Sequence, residues 1–145
     1  MKKNIILMAL SILLGIGFTF FVLNKENTFA KEEYLVYAFQ VGAFEKEENA
    51  EEYGDKLPSS IIIKEKNLYK VYVSMFKDID SINKMVVYFE NNNINVYLKN
   101  INVNKEFYNI LTSYEEIINN SEDDNVYNKV NQSILNSYLE SLSYE

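Results

Sequence analysis

From Tyr34 to Val103 the sequence switches repeatedly between the two-residue period of a strand and the longer period of a helix, and this alternation limits the fold more than any single residue does. Tyr34-Leu-Val-Tyr-Ala-Phe-Gln-Val-Gly-Ala-Phe44 is rich in aromatic and β-branched residues and reads as a strand. Glu45 to Leu57 is charged, with Ala50, Tyr53 and Leu57 spaced for one face of a short helix that Pro58 stops. Ser60 to Lys66 and Leu68 to Phe76 are two further β-rich runs parted only by Asn67, as in an antiparallel hairpin. Asp78 or Asp80 caps a second helix whose Ile82, Met85, Val86 and Phe89 recur at i, i+3, i+4 and i+7, and Asn91 to Asn93 ends it. Ile94 to Val103 alternates again as a last strand. The order βαββαβ predicts an α+β, ferredoxin-like fold: a four-stranded antiparallel sheet with two helices on one face and the other face open.

Parity along the two central strands predicts what the open face carries. Phe39 and Val41 oppose Ala38, Gln40 and Gly42, while Val71 and Val73 oppose Lys70, Tyr72 and Ser74. With the apolar sets turned to the helices, Gln40, Gly42, Lys70, Tyr72 and Ser74 share the open face, joined by Asn95, Tyr97 and Lys99 when the last strand lies beside the first. Amide, hydroxyl and aromatic groups on an open sheet suit a neutral polar ligand, and Gln40 offers both a donor and an acceptor. The plainer alternative is a solvated Gln40 and tyrosines that only pack across strands. Phe39, Phe44, Phe76 and Phe89 are expected in the core.

Composition removes most catalytic chemistry. Among 145 residues there is no His, Cys, Trp or Arg, so neither a Ser-His-Asp or Cys-His nucleophile nor an imidazole or thiolate metal site is available. No enzyme activity, cofactor or metal is expected. The pairs Glu47-Glu48, Glu51-Glu52 and Glu115-Glu116 lack the apolar surroundings that raise the pKa of a glycosidase acid, and read as solvated helix faces. Asp78, Asp80 and the Glu122–Asp124 run read as helix starts rather than a calcium loop.

Residues 5–23 form an uncharged apolar run close to the roughly 20 residues that span a bilayer, and are expected to be a transmembrane helix. Lys2 and Lys3 precede it, which places residues 1–4 in the cytoplasm and the rest outside, behind a polar spacer at 24–33. The alternative is secretion after cleavage of a signal peptide near Ala30. Beyond the run stand 12 lysines against 21 acidic residues, net −9, a balance that does not suit nucleic acid.

Residues 104–145 lie past the βαββαβ pattern. Phe107, Ile110, Leu111, Tyr114, Ile117 and Ile118 make an apolar helical stripe, Ser121 to Asp124 resembles a capping box, and Val126, Val130, Ile134, Tyr138 and Leu142 step by four. An α-hairpin is expected, either packed on its own domain or offered to a protein partner or a second copy. Over the open sheet face, it would block the ligand site.

The stretch Phe39-Gln-Val-Gly-Ala-Phe44, followed by Asn49-Ala50 and then Leu68-Tyr-Lys-Val-Tyr-Val-Ser-Met-Phe76, resembles the SPOR (sporulation-related) domain over residues 34–103. Lys70 stands where that family has Arg, Ser74-Met75 where it has Gly-Pro, Ile82 where Ala is usual, and Asn92 or Asn93 where a Gly precedes the last strand. The resemblance implies a membrane-tethered, non-enzymatic protein that binds peptidoglycan glycan strands stripped of stem peptides, at sites of cell division or sporulation. It also implies contacts from Gln40 and from Lys70, Tyr72 and Ser74, with Gly42 and Tyr97 beside them. The alternative is a membrane-anchored scaffold of the same fold that recruits a protein partner through residues 104–145.

Overall fold

The structure, a computed structural model, describes residues 32–143. The expected membrane span, the cytoplasmic residues 1–4 and most of the spacer lie outside the described residues. Among the described residues no helix is long and apolar enough to cross a membrane.

The elements run β1 (Tyr34–Phe44), α1 (Glu47–Gly54), β2 (Ile61–Glu65), β3 (Leu68–Phe76), α2 (Ile79–Asn91), β4 (Tyr97–Val103), α3 (Lys105–Asn119) and α4 (Asp124–Ser143). The strands form one antiparallel sheet in the order β2-β3-β1-β4. β1 and β3 occupy the stretches that their aromatic and β-branched content marks out. The hairpin turn falls at Lys66-Asn67, with Lys66 in the left-handed region at φ 56°. α1 is shorter than Glu45 to Leu57 because Lys46 is still extended and supplies no side-chain cap.

Asp78 caps α2, its carboxylate accepting from the Ser81 amide at 3.0 Å. The far end closes through Asn93 at φ 58° and a bond from the Ile94 amide to the Phe89 carbonyl at 2.9 Å. That closing turn takes up Ile94 to Val96, so β4 starts at Tyr97 rather than Ile94. The core gathers Phe39, Phe76 and Phe89, with Phe39 centred 5.7 Å from Phe76 and 5.8 Å from Phe89. Phe44 is half-buried, its ring tilted against Tyr53 of α1 with centroids 5.5 Å apart.

The simple parity of the central strands breaks in two places. Between Phe39 and Gln40 the pairing passes over Val73, and between Gln40 and Gly42 it passes over Val41. Such bulges re-aim side chains locally.

A larger departure concerns the face expected to be open. From Val71 to Phe76 every residue of β3 is at most 2% exposed. Successive strand residues point to opposite faces, so both faces of β3 are covered. The cover on the second face is the C-terminal hairpin. α4 packs on β3 and α3 on β1, and Phe107, Leu111, Ile118, Ile134 and Leu135 belong to the same core as the sheet. Within α4 the buried stripe is Tyr127, Val130, Asn131, Ile134 and Leu135, offset from the step of four read in the sequence, and Leu142 is exposed.

Candidate functional site: a polar sheet face under a helical hairpin

The antiparallel registers align Ile61, Tyr72, Gln40 and Tyr97 as one row across all four strands. Directly opposed residues point to the same face, so this row sets the geometry of the site. Ile61, Tyr72 and Gln40 are 6%, 2% and 8% exposed, whereas Tyr97 at the β4 edge is 62% exposed. The row therefore passes from beneath helix into solvent over a single strand step.

Each expected site residue has a definite place. Tyr72 donates its hydroxyl to Glu65 Oε1 at 2.7 Å, and Lys70 forms an ion pair with the other oxygen of Glu65. Burial, then the bond to Glu65, pushes the Tyr72 hydroxyl far above the ordinary tyrosine range, so it is a fixed donor. Burial works to raise the Glu65 carboxyl, but the bonds from Lys70 and Tyr72 outweigh it and hold the group below its usual value. Ser74 is fully buried, and its hydroxyl donates to Asn131 Oδ1 of α4 at 2.7 Å. Gly42 sits opposite Val71, where a Cβ would meet the Phe44 ring at 2.6 Å. Tyr97 and Lys99 are exposed on the edge strand β4, and Asn95, expected on that strand, is exposed in the segment just before it.

Two polar atoms in this region are buried without a hydrogen-bond partner: Oε1 of Gln40 and Nδ2 of Asn131. Buried polar groups are nearly always paired, so each marks a place where polar capacity is held unused. Gln40 lies directly beside exposed Tyr97 in the row.

Sequence reasoning missed three residues. Glu65 orders Lys70 and Tyr72; it ends β2 opposite Leu68 at a tight hairpin, and that closeness to β3 is the signal that could have found it. Asn131 interrupts an otherwise apolar helix stripe. Glu115, read as part of a solvated pair, is 4% exposed. Its Oε1 accepts the amides of Lys77 at 2.6 Å and Asp78 at 2.7 Å, joining α3 to the corner between β3 and α2. Burial raises the Glu115 carboxyl above its usual range, although the two amides oppose the shift. Glu116 beside it is exposed, as are Glu47, Glu48, Glu51 and Glu52.

The described residues thus form an α+β sheet domain in which a row of amide and tyrosine groups crosses the strands. Residues 36–87, from β1 through most of α2, match the family model of the SPOR domain, and this part of the chain is a SPOR domain. SPOR domains are peptidoglycan-binding domains rather than enzymes. No match is found among curated proteins or among solved structures.

Proposed function

We propose that the chain binds the glycan strands of peptidoglycan lacking stem peptides, through the Tyr72–Gln40–Tyr97 row and the neighbouring Gly42, Lys70 and Ser74, and carries out no chemistry on them. The observation that carries this reading is the unpartnered carbonyl of Gln40 next to an exposed tyrosine ring. A stripped glycan is uncharged and rich in N-acetyl and hydroxyl groups, so it calls for amide hydrogen bonds and an aromatic platform rather than a basic patch. Lys99 and Tyr97 at the β4 edge give it a solvent-facing entry.

In the full reading, residues 5–23 anchor the protein as a single membrane span with the N-terminus in the cytoplasm, and the SPOR domain reaches the wall at division or sporulation septa. A second reading has its own support. Ile110, Ile117, Leu139 and Leu142 on the hairpin are each at least 40% exposed, which favours a scaffold that docks a septal protein or a second copy. Co-sedimentation with sacculi, with and without amidase treatment, separates the two. Retention on stripped walls supports glycan binding, whereas no retention on either wall favours the scaffold.

A further inference from the structure

We infer that the α3–α4 hairpin is a displaceable cover over the ligand face, so that the conformation seen is the closed state of a glycan binder and opening exposes Gln40, Tyr72 and Ser74. This rests on the glycan reading above and deepens it. Three observations point the same way.

The hairpin is held together by contacts of its own. The Phe107 and Tyr138 rings meet at a tilt with centroids 5.3 Å apart, and the Tyr114 and Ser137 hydroxyls meet at 3.3 Å, so the two helices can move as one body. Its attachments to the sheet and to α2 combine the apolar contact of Phe107, Leu111, Ile118, Ile134 and Leu135, all buried in the shared core, with a set of polar clasps that fix its seating. Glu115 takes the Lys77 and Asp78 amides, Asn131 takes Ser74, and the Tyr88 hydroxyl reaches Asn128 Oδ1 at 2.7 Å. Such bonds exchange for water at small net cost, unlike apolar contact. Finally, the closed interface buries Gln40 Oε1 and Asn131 Nδ2 without a hydrogen-bond partner from the protein, and both gain partners when the hairpin lifts and a sugar replaces it.

A binding-competent state populated only in part weakens apparent affinity by that fraction, so fixing the cover must weaken binding and loosening it must strengthen binding. The test locks the hairpin at Lys84 of α2 and Glu122 before α4, an ion pair at 2.8 Å on the surface. The chain has no cysteine, so Lys84→Cys/Glu122→Cys is a unique target for a short bis-maleimide cross-link. The probe is amidase-stripped sacculi, and the loosened variant is Glu115→Ala, checked for folding by circular dichroism. Binding reduced roughly tenfold by the cross-link, relative to the same variant left unlinked, is the expected result. Glu115→Ala should bind several-fold more tightly than the parent. The lock itself sits on surface positions, so the outcome stands if Glu115→Ala fails to fold. Equal binding by linked and unlinked protein overturns the cover and leaves glycan binding intact. Absence of binding in every form overturns both.

Discussion

The hydroxyl of Ser74 donates to Asn131 Oδ1 at 2.7 Å, joining the centre of β3 to α4 across 57 residues of chain. This bond decides how the SPOR sheet is presented, because the residue that parity places on an open face is sealed under a helix.

The same bond yields a stability prediction. Ser74→Ala leaves both polar ends of Asn131 buried without a protein partner and should cost about 1–3 kcal/mol. Ser74→Ala/Asn131→Leu replaces the pair with apolar groups and should recover most of that loss. Urea denaturation of the four corners of this double-mutant cycle reads the coupling directly. Additive losses would mean that the bond is not buried in solution.

Tyr72→Phe removes one of the groups that, with Lys70 and Lys66, hold the Glu65 carboxyl below its usual value. The Glu65 pKa should rise towards 4.5, observable by carboxyl NMR titration, and stability should fall by about 1.5–3 kcal/mol, as expected for a bond to a charged group. An unmoved Glu65 titration would contradict the assigned pairing.

Glu115 sets a pH dependence of opposite sign. Its folded pKa is raised, so the folded state holds a proton that the unfolded state has released between 4.5 and the folded value. The stability this group contributes is fully present below 4.5 and is lost as pH rises through the folded pKa. Glu65 and Asp78 are lowered, so their contribution is present above their ordinary values and is lost as pH falls through the folded ones. Melting temperature followed upward from pH 4.5 should therefore decline less in Glu115→Gln than in the parent. Parallel curves for the two proteins would sink this account of Glu115.

Much of this fold is legible from local pattern alone. β1 and β3 are dense in β-branched and aromatic residues, and Asp78 stands one turn before the apolar stripe that begins at Ile82, so their positions follow from propensity and capping. Long-range effects are not legible in the same way. The bulges at Val41 and Val73 arise from fitting the strands together. Glu115 looks solvated on its own helix, and only the corner of β3 and α2 reveals the amides it serves. Gln40, Tyr72 and Tyr97 fall in one row across the sheet, but the burial of Gln40 and Tyr72 depends on the hairpin, which local periodicity does not place.

Gln40→Leu separates fold from function. Removing an unpartnered buried carbonyl should leave stability unchanged or raise it by up to about 1 kcal/mol, as when a residue is kept for its ligand rather than its fold. A marked fall in melting temperature would assign Gln40 a structural bond instead.

The most direct measurement is co-sedimentation of residues 32–145, a compact unit with its own core, with sacculi before and after amidase removal of stem peptides. Greater retention on the stripped walls, reduced roughly tenfold or more by Gln40→Leu in a protein that still melts normally, is the predicted result; that loss corresponds to about 1.4 kcal/mol of binding. Equal retention on both walls, or retention indifferent to Gln40→Leu, would contradict glycan recognition by this face.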